Sequence, residues 1–196
     1  SGKQIVTASL LSYAFSNSLG TFLGGTPIRF RLYSSWGLTV SEIVRLSLFI
    51  GFAFWIGLCS LAGVLFVATP FDIPARFNLP IADSRPLGVA MLCLAATFYV
   101  ACVLRRRPLQ FLKVNIQPPP LRIALAQTVV AAVDFMLAAG VLYVLLPADI
   151  PVSYFQFVAV FLLAIIISLA SHIPGGLGVL ELVLITMLPH SSTQSL

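Results

Sequence analysis

The residues of this chain able to do polar chemistry gather at breaks in apolar sequence. The sharpest break is His172 to Glu181, reading His-Ile-Pro-Gly-Gly-Leu-Gly-Val-Leu-Glu inside a long apolar run. Pro174 lacks an amide donor and clashes with the preceding turn, and Gly175 and Gly176 add backbone freedom, so a helix does not pass smoothly through them. In a bilayer the freed N–H and C=O groups have no water to bond. Such a break is tolerated only where protein or a water-filled cavity covers it. It reads as the edge of a site, against the plainer reading of a tight turn between two short packed helices. Glu181 falls in the first turn after Gly175, Gly176 and Gly178. A helix N-terminus there offers free amides and a positive dipole end. The amides suit a phosphate and Glu181 a positive group beside it; alternatively, the acid simply suits the dipole. His172 either titrates at the break or serves as a structural partner.

A second break, Gly24-Gly25-Thr26-Pro27, precedes Arg29 and Arg31. In an extended element these alternate residues share one face; on a helix they diverge. The planar guanidinium fork binds phosphate, while positive-inside anchoring of a loop explains the same two residues. Asp134 stands near the middle of the apolar segment 121–146. A carboxylate at the centre of a span costs about 2.5–3.5 kcal/mol on insertion scales, so it is expected to face the bundle interior with a partner. That partner is a cationic headgroup, a proton path or a structural arginine. No Walker A loop, H-E-x-x-H, G-x-S-x-G or metal-spaced carboxylate cluster occurs. The reading is therefore of no enzyme active site, no cofactor and no metal.

These residues need elements to hold them. The 196 residues are 59% hydrophobic and 9% charged, with mean hydropathy +1.04, against about 25% charged in soluble domains. Several apolar runs approach the length of about 20 residues that spans a hydrocarbon core. The fold class is all-α: a polytopic helical membrane protein of about five spans plus a C-terminal half-helix, with Gly/Pro-broken, re-entrant segments. The spans are read at 5–23, 44–69, 87–104, 121–146 and 152–173, and the half-helix at 177–188. Gly20-x-x-x-Gly24, Gly51, Gly57 and Gly63 predict close helix contacts. Asn17 and its neighbouring serines predict hydrogen bonds between helices. Thr39 or Ser41 is expected to cap a helix with Glu42 in its first turn. Cys59, Cys93 and Cys102 lie in apolar helices without CxxC spacing and read as reduced, buried packing residues.

The net charge of +5 reads as a topology signal and as contact with anionic lipid, with no nucleic-acid partner. Residues 105–122 hold five basic residues and no acid, and residues 29–45 hold three basic residues and one acid. Alternating spans place both basic loops on one side, which is then cytoplasmic. Both breaks fall towards that side, and paired Gly/Pro interruptions are a pointer to a transport site.

At residues 16–36 (SNSLGTFLGGTPIRFRLYSSW) and 172–189 (HIPGGLGVLELVLITMLP) the chain resembles the membrane domain of the lysylphosphatidylglycerol synthase family, which includes the multiple peptide resistance factor. The resemblance covers nearly the whole chain. It implies a bacterial inner-membrane domain that flips aminoacylated phosphatidylglycerol, such as lysylphosphatidylglycerol, and contributes to resistance to cationic antimicrobial peptides. It also implies that the family's phosphatidylglycerol lysyltransferase activity lies in a soluble aminoacyltransferase domain absent here. Residues 1–196 then form a single transmembrane domain, a fragment of a larger one, with a synthase domain of the parent chain or a second copy as further partners. Arg29, Arg31 and the amides of Gly175, Gly176 and Gly178 are expected to meet the lipid phosphate, and Asp134 and Glu181 its ammonium groups. A secondary transporter of a small solute, or a membrane scaffold for a lysyltransferase domain, are the other readings.

Overall fold

The computed structural model describes residues 26–74, 83–104, 109–111, 114–116, 119–147, 150–171, 173 and 178–187, with residues 26–29, 109–111 and 114–116 described by backbone alone. The expected first span 5–23, with Asn17, Gly20 and Gly24, lies outside the described residues, as do Gly25, His172, Gly175 and Gly176. The fold is all-α and membrane-like. Helices run α1 (Thr26–Ser35), α2 (Val40–Ala68), α3 (Ser84–Leu104), α4 (Leu121–Val144), α5 (Tyr154–Ala170) and α6 (Val179–Met187). A small antiparallel ribbon, β1 (Leu109–Phe111) paired with β2 (Val114–Ile116), sits in the α3–α4 connection, with Leu109 opposite Ile116. Three helices, α2, α3 and α4, are long and apolar enough to cross a membrane. At 29 residues and about 1.5 Å per residue, α2 is about 43 Å long. That is the full thickness of a bilayer with its headgroups, about 40–45 Å.

The stretch after the first break is a helix. Thr26 to Ser35 carries both Arg29 and Arg31, so the extended arrangement that would align them does not occur. The helix closes on Gly37, whose φ of 85° is the left-handed conformation of a C-terminal cap. The Gly37 amide donates to the Ser34 carbonyl at 3.0 Å and the Leu38 amide to the Tyr33 carbonyl at 3.1 Å. Thr39 then caps α2. Its amide and its hydroxyl both donate to Glu42 Oε2, at 2.8 and 2.7 Å.

Small residues set the helix crossings. A Cβ on Gly57 would overlap the Ala131 methyl, so α2 and α4 touch there backbone to side chain. A Cβ on Gly63 would lie 2.8 Å from Leu92 and one on Gly88 2.9 Å from Phe66, which brings α2 and α3 together at their other end. Gly51 has nothing within 4 Å and makes no such contact. The α2–α3 turn is stapled by Ser84, fully buried, whose Oγ accepts from the Phe71 amide at 3.1 Å and donates to the Phe66 carbonyl at 3.2 Å. The α4–α5 turn is held by two tyrosines. Tyr143 Oη donates to the Val152 carbonyl at 3.0 Å, and Tyr154 Oη to the Met136 carbonyl at 2.7 Å.

The core lies around α5. Residues 157 to 164 are buried without interruption, the mark of a helix enclosed on all sides. At 17 residues it is shorter than expected from the sequence, about 25 Å at ~1.5 Å per residue. It starts at a well-built cap: the Ser153 amide donates to Gln156 Oε1 at 3.1 Å, and Ser153 Oγ accepts from the Gln156 amide at 3.4 Å. Helix α6 packs on α5 through Leu180, Val183, Leu184 and Met187. The cysteines are all free. Cys59 is buried as expected; Cys93 is exposed and Cys102 half-buried, because the inward face of α3 runs through Ser84, Gly88, Met91 and Ala95.

Candidate functional site

The break before Glu181 is real at its described end. Gly178 has φ 80°, a backbone state that disfavours every side chain with a Cβ. Its carbonyl accepts the first α6 bond, from the Leu182 amide at 3.0 Å. The apolar run therefore does not continue as one helix from α5 into α6. It stops after Ala170 and resumes as a half-length helix laid on the first.

The carboxylates are not where the sequence suggests. Asp134 is exposed on α4, among Val130, Val133, Leu137 and Val141, which are exposed as well. The helix turns Phe135 and Ala139 into the core instead, and one residue's shift rotates Asp134 outward. Glu181 is likewise exposed, beside Leu182 and Ile185, because Leu180, Val183 and Leu184 form the packing face. Arg31 is exposed on α1. The three charges sit on helices with different neighbours: α1 on α2, α4 on α2, α3 and α5, and α6 on α5. They are not brought into one cluster.

What the structure does bring together is a cavity of about 680 Å³ between α2, α3 and α4. From α2 it takes Glu42, Arg45, Phe49, Phe52, Ala53 and Ile56; from α3, Phe98, Ala101 and Cys102; from α4, Ile123, Ala124, Gln127 and Thr128. Charge is confined to one end, at Glu42 and Arg45, and the remaining α2 wall is apolar. The α2 residues recur at three- and four-residue steps, so they form one stripe of that helix. Ile56 is the last α2 residue of the lining, and four residues beyond it the same helix face carries Ser60.

Beside the cavity, at Thr128, a chain of hydroxyls joins three helices. Ser60 Oγ lies 2.9 Å from Tyr99 Oη, and Tyr99 Oη lies 2.6 Å from Thr128 Oγ1. Thr128 Oγ1 donates to its own helix at the Ala124 carbonyl, 3.0 Å away. A hydroxyl has one proton. With that of Thr128 committed, Tyr99 must donate to Thr128 and Ser60 to Tyr99. Each hydroxyl is thereby satisfied inside the bundle.

The sequence signal for this cavity was the α2 stripe that begins at Glu42 and Arg45, hidden because those charges also read as a cap and an anchor. Leu38, Glu42, Cys102 and Pro120 all line the cavity, so the start of α2, the end of α3 and the start of α4 meet at one end. Among the described residues no cluster of His, Cys, Asp and Glu is placed to hold a metal ion.

No protein-family model matches the chain. It is similar to the uncharacterized protein slr0712 of Synechocystis sp., 36% identical over 189 residues, which is 95% of this chain and 59% of that protein. It is also similar to the inner membrane protein YbhN of Escherichia coli, 32% identical over 192 residues, 97% of this chain and 60% of that protein. A shorter stretch of 59 residues, 30% of this chain, is 46% identical to 7% of a phosphatidylglycerol lysyltransferase of Staphylococcus epidermidis. The chain thus spans about three-fifths of the length of the first two relatives. It is a membrane protein, related to an inner-membrane protein and, in part, to a region of phosphatidylglycerol lysyltransferases.

Proposed function

We propose that this chain is a multi-pass domain of the bacterial inner membrane that translocates aminoacylated phosphatidylglycerol, with no transferase chemistry of its own. The observation that carries this reading is the buried α5 that ends at a Gly/Pro break and returns as the half-length α6. Interrupted helices inside a bundle are the recurring way in which membrane transporters expose backbone groups to a substrate. The partial likeness to a phosphatidylglycerol lysyltransferase supplies the lipid class. In this reading the basic stretches 29–45 and 105–122 face the cytoplasm. One arginine of the pair Arg29 and Arg31, together with the amides at Gly175, Gly176 and Gly178, contacts the phosphate, and His172 lies in the same stretch of sequence. Asp134 and Glu181 attract the ammonium groups of the headgroup from outward helix faces, which further spans or a second copy cover.

The test is a reconstitution of the full-length protein in proteoliposomes, following exposure of lysylphosphatidylglycerol and of phosphatidylglycerol with an impermeant reagent. Faster crossing of the lysyl lipid is expected. Asp134→Asn and Glu181→Gln should slow that lipid more than plain phosphatidylglycerol. Equal loss for both lipids would reduce the carboxylates to folding roles. No acceleration of either lipid by folded protein would overturn the translocation reading.

A further inference from the structure

We propose that the cavity between α2, α3 and α4 is a single-lipid site that takes an amine-bearing anionic phospholipid out of one leaflet. The phosphate lies at Arg45, the amine at Glu42, and one acyl chain runs along the α2 stripe from Phe49 to Ile56. The proposal rests on the lipid reading above and assigns it a place that the Gly/Pro breaks do not.

Three observations carry it. The first is polarity along one helix face. Glu42 and Arg45 are neighbours at the mouth, three residues apart and so on one side of α2. A guanidinium and a carboxylate there complement a phosphodiester and an ammonium group of one headgroup. Beyond them the α2 wall is Leu46, Phe49, Phe52, Ala53 and Ile56, which offers nothing to a hydrophilic solute.

The second is depth. Arg45 and Ile56 are 11 positions apart, about 16 Å along the axis at ~1.5 Å per residue. Half of the hydrocarbon core is about 15 Å. The apolar part of the cavity therefore matches the length of one leaflet, with its charged mouth at headgroup level. The volume of about 680 Å³ lies within the range of about 300–1,000 Å³ for sites of small ligands.

The third is the floor. The Ser60–Tyr99–Thr128 chain, which reaches the cavity through Thr128, satisfies its own hydroxyls, and the Gly57–Ala131 contact joins α2 to α4 one residue past Ile56. An acyl chain reaching the floor meets no polar group left without a partner, and the site ends at mid-membrane.

The experiment uses the full-length protein in vesicles containing phosphatidylglycerol with a diazirine on one acyl chain, or its lysyl ester, followed by peptide mapping after illumination. Adducts are expected on the α2 stripe between Phe49 and Ile56 and on α3 near Cys102. Ala53→Trp, which fills the cavity, should reduce those adducts at least tenfold, with elution as a folded monodisperse species checked alongside. Arg45→Gln should reduce them about tenfold for both lipids. Glu42→Gln should abolish the preference for the lysyl ester, while glutamine keeps the helix cap. Adducts spread evenly over the outer faces, unchanged by Ala53→Trp, would overturn the site. Cavity adducts that show the same preference in Glu42→Gln would overturn the amine assignment. The two readings fail separately. Translocation without cavity adducts sinks this site and spares the function; cavity adducts in a protein that translocates neither lipid sink the function and spare the site.

Discussion

Replacing Gly57 by alanine tests the bundle at its tightest point. The new methyl would overlap that of Ala131, so α2 and α4 must separate or tilt. Overpacking of this kind costs about 1–3 kcal/mol. Alanine also gains about 1 kcal/mol over glycine in helix propensity, so the net loss in Gly57→Ala is about 0–2 kcal/mol. Gly51 on the same helix supplies the correction. Nothing lies within 4 Å of its built Cβ, so Gly51→Ala reads the propensity gain alone. The difference between the two variants should be about 1–3 kcal/mol. A second comparison isolates the contact. In Gly57→Ala/Ala131→Gly the methyl moves from one helix to the other and the volume is restored. The double variant should be more stable than the sum of the single effects by at least about 1 kcal/mol, the size of coupling seen between touching residues. Reversible unfolding in mixed detergent micelles measures each term. Additive effects, or identical effects at Gly51 and Gly57, would refute the α2–α4 crossing.

Two further perturbations probe the floor and the break. Tyr99→Phe removes two of the bonds that join three spans; at about 0.6 kcal/mol per interhelical bond it should cost about 1 kcal/mol. Adding Ser60→Ala should then cost little more, because the Ser60 bond is already lost, and fully additive costs in the same unfolding assay would contradict the directional chain. Gly178→Ala should cost about 1–2 kcal/mol from its φ of 80° and speed hydrogen exchange of the α6 amides. Gly178→Asn should be milder, and equal exchange in wild type and both variants would mean that the left-handed residue does not set the break.

The helices were legible because composition and length suffice for them. The three long spans start and end within four residues of where apolar run, proline and arginine place them, as at Pro120 and Leu121 or at Leu104 before Arg105. The break before Val179 was legible because proline and glycine act locally. The helical state of Thr26–Ser35 was not. Its mixed polarity gives no apolar period, and Thr26-Pro27, read as a break, stands at a helix start, where proline's missing amide costs nothing. Gly51 shows the limit of small-residue spacing. It repeats at the interval that places Gly57 and Gly63 in contacts, yet the splay of α2 from its neighbours leaves it open.

The site was less legible, for a reason Asp134 makes plain. A charge in an apolar span announces a cost, and the sequence alone assigns that cost to the bundle interior. Orientation is decided by the neighbours: Phe135 and Ala139 take the inward face of α4, so Asp134 turns out. An exposed carboxylate on a span is costly against lipid by about 2.5–3.5 kcal/mol, and a covering group relieves that cost. The chain matches about three-fifths of its first two relatives, so further sequence in those proteins can supply the cover. The cavity escaped notice for the opposite reason. It is built from residues that each have an ordinary role: a cap at Glu42, a topology charge at Arg45, apolar residues of a span at Phe49 and Phe52. Only the packing of α2 on α4 at Gly57, next to Ile56, and on α3 at Gly63 and Gly88 turns that stripe into the wall of a site.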